Sequence, residues 1–253
     1  MAKIIAFSNQ KGGIGKTTSS VNVAACIAAK GKKVLFCDID PQGNGTSGVG
    51  VNKRNDKNSL YEALVGKCTA KEAIIKTNFK NLWCMPSNIS LSGAEREFVD
   101  IENSYYRLKN VLDQVKDDFD YIIIDSPPSL GVLTINALTS ADGVVVPMTC
   151  EYYSLEGISQ LTLSVRQTKM YYNPKLEIVG ILITMYDKRL KLSRDVLEEL
   201  EKYYGEKIFR TKVTRSVRLA EAPSRGEPII YYDKASKGAA AYNDIAAELM
   251  KRI

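Results

Sequence analysis

The chain has 253 residues, 45% of them hydrophobic and 25% charged, the proportions of a globular protein that can bury a full core. Histidine is absent and the five cysteines show no CxxC spacing, which argues against a zinc or redox motif and favours reduced thiols in a cytoplasm. A formal charge of +6 permits a polyanionic partner without requiring one, and neither a signal peptide nor a membrane span is predicted.

Short apolar runs alternate with segments of helical periodicity in the first half of the chain. A capping-box pattern, Thr69 and Glu72, opens the second of two short helical stretches there. The predicted order is a strand at 3–8, a helix at 17–30, a strand at 33–40, a polar segment at 41–58, the two short helical stretches, and a strand at 81–87.

The same alternation continues to the end of the chain. It predicts an amphipathic helix with Leu108, Val111, Leu112 and Val115, strands at 120–128, 143–148, 177–184 and 207–211, and helices at about 154–172, 194–204 and 236–252. Strands that are apolar on both faces and alternate with helices indicate a mostly parallel, twisted sheet with helices on both faces. The sequence therefore predicts an α/β fold in a single domain over residues 1–253.

The stretch KGGIGKTT joins the first predicted strand to the first predicted helix, which is the position of a phosphate-binding P-loop. Lys16 is expected to neutralise the β- and γ-phosphates of a nucleotide, Thr17 to ligate Mg²⁺, and Thr18 to donate to the α-phosphate. Backbone N–H groups of the loop are expected to converge on the phosphate oxygens. They belong to Gly12, Gly13, Ile14 and Gly15.

The loop departs from the ordinary P-loop pattern at its beginning. Where that pattern has its first glycine, this chain has Gln10, and a second lysine, Lys11, follows. Lys16 already stands where the phosphate-binding lysine belongs, so Lys11 needs a separate explanation.

Acidic residues follow two of the predicted strands. Asp38 and Asp40 end the second strand, where a carboxylate can hold a metal or orient water, and Asp40 is the better candidate because it is the outermost. A turn residue before Pro41 is the alternative reading of Asp40. Asp125 ends the apolar run YIIID, the form of a Walker B element, and is expected to reach Mg²⁺ through a water or to accept from Thr17.

Several stretches together resemble the deviant-Walker P-loop ATPases, and within them the ParA/Soj family of chromosome and plasmid partitioning ATPases. The likeness covers nearly the whole chain and is closest to the short, Soj-type form without an N-terminal helix-turn-helix domain. Ile14, where valine is commoner, and Ser126, where many members have cysteine, are minor departures. The stretches are KGGIGKT (11–17), DIDPQGN (38–44), YIIIDSPPSLG (121–131), CEYYSLEG (150–157) and VRLAEAPSRGEPI (217–229).

The resemblance implies roles for five residues. The family's signature lysine reaches across a dimer interface to the ATP of the other subunit, which makes Lys11 a catalytic residue in trans. Gly12 would lie where that interface is tight, and Asp40 would position the attacking water. Met185 and Pro223 would flank the adenine. The implied cofactors are ATP and Mg²⁺, and the implied assembly is an ATP-dependent homodimer.

Two stretches without any acid concentrate positive charge, at 188–194 and 207–218. Taken alone, such a stretch is more often a solvated basic face. ParA proteins bind DNA without sequence preference when they are dimeric with ATP, and Arg189 and Arg218 match positions assigned to that role. The resemblance therefore implies contact with the phosphates of double-stranded DNA. The candidate residues are Lys188, Arg189, Lys191, Arg194, Arg215 and Arg218.

Three other classes of protein share parts of this pattern. A MinD-like membrane-associated positioning ATPase would end in a detachable amphipathic helix, whereas a terminal helix docked on the sheet is the simpler account of the tail YNDIAAELMKRI. A nitrogenase-iron-protein-like reductase would need a cysteine near Ser126 to bridge a cluster. A metabolic ligase or synthetase would explain the P-loop but not the basic stretches.

The expected function is that of a cytoplasmic, nucleoid-associated Mg-ATPase in chromosome or plasmid segregation. A ParB-like partner would stimulate its slow hydrolysis of ATP and release it from DNA, with the MinD-like switch as the alternative.

Overall fold

A computed structural model describes residues 1–53, 58–98 and 101–253 of the chain. Within this part of the chain, seven strands form one sheet in the order β3-β4-β2-β5-β1-β6-β7, and all neighbours are parallel except β3 and β4. The strands are β1 (Lys3–Phe7), β2 (Val34–Asp38), β3 (Ile75–Lys76), β4 (Leu82–Met85), β5 (Tyr121–Asp125), β6 (Gly143–Thr149) and β7 (Glu177–Thr184).

Helices cover both faces of this sheet. The predicted mostly parallel α/β fold is therefore confirmed. The helices are α1 (Lys16–Ala29), α2 (Asn44–Gly48), α3 (Leu60–Leu64), α4 (Leu91–Glu97), α5 (Arg107–Asp113), α6 (Val132–Ser140), α7 (Tyr152–Tyr171), α8 (Lys191–Tyr204), α9 (Val217–Glu221), α10 (Ile229–Tyr232) and α11 (Lys237–Arg252).

The central strands are buried on both faces, which is why they are apolar throughout. Every residue of β2, β5 and β6 is buried. Along β5, Ile122 and Ile124 join the core under α5, α6 and α7, while Ile123 joins the opposite core under α1 and α11. This alternation follows from the period of two along a strand.

The predicted strand at 207–211 is wrong. Only a single bridge, between Ile181 and Ile208, links this segment to the edge strand β7. The guanidinium of Arg252 donates to the carbonyl oxygens of Lys207 and Ile208, each at 3.0 Å, and also to that of Val179 on β7. Because a side chain takes the acceptors that a continuous ladder would use, the segment does not extend the sheet.

The second short helical stretch is also wrong as a helix. Its capping hydrogen bonds do form, with the Thr69 N–H donating to Glu72 at 2.8 Å and the Glu72 N–H donating to the Thr69 hydroxyl at 3.3 Å. Ile75 already belongs to β3, so the chain has room for one turn only. The first short stretch is a helix, α3, and it opens with a capping box of its own, Ser59 and Glu62. Positions 54–57 of the predicted polar segment lie outside the described residues.

Candidate nucleotide-binding site

The P-loop connects β1, in the middle of the sheet, to the N-terminus of α1. Gly13 and Gly15 have φ of +73° and +82°, the left-handed conformation that glycine adopts without strain. The Thr184 hydroxyl at the end of β7 donates to the Ile14 carbonyl at 2.6 Å, which fixes the loop from outside. The free N–H groups at the start of the 14-residue helix α1 make this turn an anion-binding position.

Lys16 lies inside the site, only 6% exposed. Its Nζ is 3.5 Å from Oδ1 of Asp125 and also donates to the carbonyl of Ser126. The lysine therefore bridges the P-loop and the carboxyl end of β5, where the predicted Walker B residue stands. A charged ammonium held there faces any phosphate bound by the loop.

Asp125 has the features expected of a carboxylate near a magnesium ion. It is completely buried, and its Oδ2 has no hydrogen-bond partner among the described residues. Burial raises the pKa of Asp125, while the charge of Lys16 and the nearby hydroxyls of Thr17 and Ser20 oppose the rise. An unpartnered buried oxygen beside Thr17 fits a water on Mg²⁺.

The described residues contain no group of three or more acidic, histidine or cysteine side chains able to hold a metal ion by itself. Magnesium at this site would therefore depend on Thr17, on Asp125 through water, and on phosphate oxygens, as is usual for nucleotide-bound Mg²⁺.

Asp38 organises the loop that follows β2, a role that the sequence did not indicate. Its carboxylate accepts from the Thr46 N–H at 2.6 Å, the Thr46 hydroxyl at 2.8 Å and the Asp40 N–H at 3.1 Å. Asp40 lies next to it, 5% exposed, and accepts from the Gln42 N–H at 3.0 Å. The loop is thereby held so that Asp40 is at the same end of the sheet as the P-loop.

Lys11 lies apart from Lys16, on the outer side of the loop. Its side chain is 33% exposed, and its Nζ is 2.6 Å from Oε2 of Glu151, the residue before α7. Gly12 is exposed, and a Cβ built on it would meet no atom within 4 Å. Within one subunit, this face of the loop is therefore open.

A cavity of about 420 Å³ adjoins the P-loop on the side of α11. Gly15, Thr18 and Met185 line it, so the structure brings one predicted adenine neighbour to the predicted phosphate site. Pro223 is exposed, does not line this cavity, and keeps its adenine role only as a prediction. Arg215 also lines the cavity, although the sequence indicated only a DNA contact for it. The sequence assigned no role to the remaining lining residues, which are Thr184, Val213, Thr214, Ser216, Val217, Leu219, Ala220 and Tyr242.

Comparison with known proteins fits this geometry. A family model described as an AAA domain matches residues 2–178. The sporulation initiation inhibitor protein Soj of Bacillus subtilis is 52% identical over 98% of this chain and 98% of that protein. The chromosome-partitioning ATPase Soj of Treponema pallidum is 44% identical over 100% of this chain and 98% of that protein. The chain belongs to the ParA/Soj family of partitioning ATPases.

A solved structure supports the cofactors of this ParA/Soj protein. The cobyrinic acid a,c-diamide synthase of Mycobacterium smegmatis, with bound ATP analog and magnesium, matches with a TM-score of 0.87 and 34% identity. The match covers 99% of this chain and 95% of that one. The ParA/Soj chain is thus an ATPase that uses ATP and Mg²⁺, as predicted.

All six basic residues predicted to contact DNA are exposed in this ParA/Soj chain. The Tyr186 N–H, two residues before the first stretch, donates to the Val213 carbonyl of the second stretch at 2.9 Å. Two of the six have acidic neighbours. Arg189 binds Asp187 at 2.7 Å, and Arg218 lies 3.1 Å from Glu221. Such exposed pairs contribute little to stability.

Among the described residues, no helix is both long and apolar enough to cross a membrane. The terminal helix α11 packs its apolar face on α1, with Tyr242, Ile245 and Leu249 buried. The Tyr242 hydroxyl lies 3.1 Å from the Ser19 hydroxyl, which donates to the Gly15 carbonyl of the P-loop. The end of the chain is therefore connected to the phosphate-binding turn.

Proposed function

We propose that this protein is an ATP-driven partitioning switch whose ATP-bound form is a homodimer. The observation that carries the proposal is the different placement of the two lysines in one loop. Lys16 is buried beside Asp125, whereas Lys11 faces outward next to an open surface at Gly12. A cation in that position is available to the ATP of a second subunit, where clustered phosphates need positive charge from both chains.

Hydrolysis requires in-line attack of water on the γ-phosphorus of ATP. The new bond joins the water oxygen to phosphorus, the bond to the β–γ bridging oxygen breaks, and ADP and phosphate leave. Lys16 stabilises the charge that develops on the phosphate oxygens, and Lys11 of the other subunit adds to it. Magnesium, held by Thr17 and by Asp125 through water, would supply further neutralisation of the phosphate charge.

Asp40 positions the attacking water rather than acting as a strong base. The carboxylate is held by the Gln42 N–H, within a loop fixed by Asp38 and Thr46. A positioned water without a strong base reacts slowly, so slow intrinsic turnover is expected. A ParB-like partner that stimulates hydrolysis would then control the lifetime of the dimer.

The dimer is proposed to bind double-stranded DNA without sequence preference. The six basic residues that carry this proposal offer charge suited to phosphates, and few aromatic side chains accompany them for base stacking. Dimerisation would double the number of phosphate contacts, so nucleotide state would control DNA affinity through charge. The proposed location is cytoplasmic and nucleoid-associated.

The arrangement of α11 supports this reading over a MinD-like membrane switch. A detachable anchor needs an apolar face that is free to enter lipid, whereas α11 buries Ile245 and Leu249 against α1. The same contact between the end and the beginning of the chain supports a single domain over residues 1–253.

The other alternative is the metabolic ligase or synthetase considered above, an enzyme that would use ATP without dimer-dependent DNA binding; one structural relative is a synthase. Sedimentation velocity with Mg²⁺ and a non-hydrolysable ATP analogue tests the proposal against it. Wild type should sediment as a dimer with the analogue and as a monomer with ADP, while Lys11→Ala should stay monomeric throughout. A wild type that remains monomeric with the analogue would contradict the proposed dimer.

A further inference from the structure

The signature lysine has an acidic partner in its own subunit. Lys11 Nζ lies 2.6 Å from Glu151 Oε2, and the two side chains are 33% and 51% exposed. The hydrogen bond from Lys11 holds the pKa of Glu151 below its usual range, so the carboxylate stays ionised at neutral pH.

Two neighbouring contacts tie the same part of the loop to the same region of the chain. The Gln10 side-chain amide donates to Gln160 of α7 at 2.6 Å, and the Asn9 amide donates to the Pro147 carbonyl of β6 at 2.7 Å. Asn9 in turn accepts from the Lys11 N–H at 3.1 Å. Residues 9–11 are therefore held against the end of β6 and the first half of α7.

We infer that Glu151 is a positioning residue that retains Lys11 within its own subunit until ATP of a second subunit displaces it. The inference rests on the proposed function, because it requires the lysine to act in trans. The ammonium of Lys11 cannot neutralise Glu151 fully while it also contacts phosphates. A Glu151 carboxylate that has lost this partner repels the negative charge of a γ-phosphate.

The exchange depends on the charge of the nucleotide. ATP presents several negative charges at the γ-phosphate end, against one on Glu151, so it can draw the lysine away. ADP lacks the γ-phosphate and exerts a weaker pull, which leaves Lys11 with Glu151. The contact thus adds to the discrimination between ATP and ADP at the dimerisation step.

The test compares wild type with Glu151→Gln and with Glu156→Gln, a matched control. Both substitutions remove one exposed negative charge from the same region, but Glu156 contacts Gln160 rather than Lys11. The readout is the dimer dissociation constant, measured by sedimentation with a non-hydrolysable ATP analogue and with ADP. Thermal midpoints serve to show that folding is unchanged.

Glu151→Gln should lower the dimer dissociation constant in the analogue by about two- to twentyfold, since each dimer releases two exposed ion pairs. It should also allow some dimer with ADP, while Glu156→Gln behaves as wild type. The affinity of Glu151→Gln for nucleotide, measured at protein concentrations below those that give dimer, should not change.

The outcomes separate this inference from the proposed function. If wild type dimerises but Glu151→Gln dimerises no better than Glu156→Gln, or dimerises more weakly, the restraining role is refuted and the proposed dimer stands. If wild type does not dimerise with the analogue at all, both are refuted.

Discussion

The carboxylates of Asp38 and Asp125 belong to residues that are partners in the parallel register of β2 and β5, and both side chains are completely buried. Burial, with the charge of Asp125 second, raises the pKa of Asp38 to about 7. Lys16 offsets part of this negative charge from the other side. The candidate site thus holds two buried carboxylates, and Lys16 offsets part of their charge. This arrangement determines how the stability of the protein responds to pH and to mutation.

The stability of the protein without magnesium and nucleotide should fall as the pH rises from about 4 to about 7. In the unfolded chain Asp38 loses its proton near its ordinary pKa of about 4, whereas the folded protein retains it to about 7. The folded state therefore binds more protons in this window, and its free energy of unfolding decreases as the pH rises. Thermal midpoints in a chelating buffer across this range measure the effect.

Asp38→Asn is the control for this pH dependence. Near pH 4 it should be less stable than wild type, because an amide replaces an acceptor of the Thr46 hydrogen bonds. Its midpoint should nevertheless vary less with pH. Parallel curves for the two proteins would refute the assignment of the titration to Asp38.

Lys16→Ala should weaken ATP binding by at least about tenfold, the cost of losing one charge-assisted phosphate contact. Lys11→Ala is the matched control, since it removes a lysine from the same loop but from the outward-facing position. Calorimetric titration with an ATP analogue at concentrations below dimerisation should show wild-type affinity for Lys11→Ala. Equal losses in both variants would mean that both lysines serve the same nucleotide.

Gly12→Val should bind ATP yet remain monomeric. A Cβ at Gly12 meets no atom of its own subunit within 4 Å, so the side chain fits the monomer and its thermal midpoint should match wild type. Any loss of dimer formation must then come from contact with a second chain. Sedimentation with the ATP analogue should give a monomer for Gly12→Val and a weakened dimer for Gly12→Ala. A normal dimer of Gly12→Val would place the interface elsewhere.

Asp40→Ala should reduce hydrolysis by about a hundredfold or more while leaving the ATP-bound dimer intact, because a water-positioning group acts in the transition state. Asp40→Asn separates this role from loop structure, since its side-chain oxygen can still accept from the Gln42 N–H. Phosphate release should be lost in both variants. Normal turnover of either would remove Asp40 from the mechanism.

Arg189→Ala and Arg218→Ala should each weaken DNA binding uniformly across sequences. Each should also reduce the slope of the logarithm of the binding constant against the logarithm of salt concentration by about one, the loss of one phosphate contact. Lys32→Ala is a suitable control, because Lys32 is exposed just before β2, at the end of the sheet opposite Asp38. Fluorescence anisotropy with two unrelated duplexes measures both quantities. Wild-type DNA affinity in the two arginine variants would refute the proposed DNA contacts of these residues.

Local sequence patterns predicted the parts of the site that local geometry determines. The P-loop and the acid at the end of β5 follow from a strand, a glycine turn and a helix in succession, so Lys16 and Asp125 could be assigned in advance. Tyr242 and Val213 could not be assigned, because they reach the cavity from segments about 200 residues away in sequence from the P-loop.

The ion pair between Lys11 and Glu151 could not be predicted from the sequence either. The two residues are 140 positions apart, and only the adjacency of β1 and β6 brings them together. The false strand at 207–211 has a related cause, since Arg252 at the far end of the chain binds its carbonyl groups. Tertiary partners of this kind override local β-propensity.

In the proposed mechanism, ATP assembles a dimer and thereby switches on DNA binding. The most direct measurement is DNA affinity of wild type and Asp40→Ala with ATP, with ADP and without nucleotide, across a series of salt concentrations. We expect tight, salt-sensitive binding with ATP only, which persists in Asp40→Ala and decays in wild type as ATP is consumed. DNA binding of equal strength in all three nucleotide states, or in none of them, would contradict it.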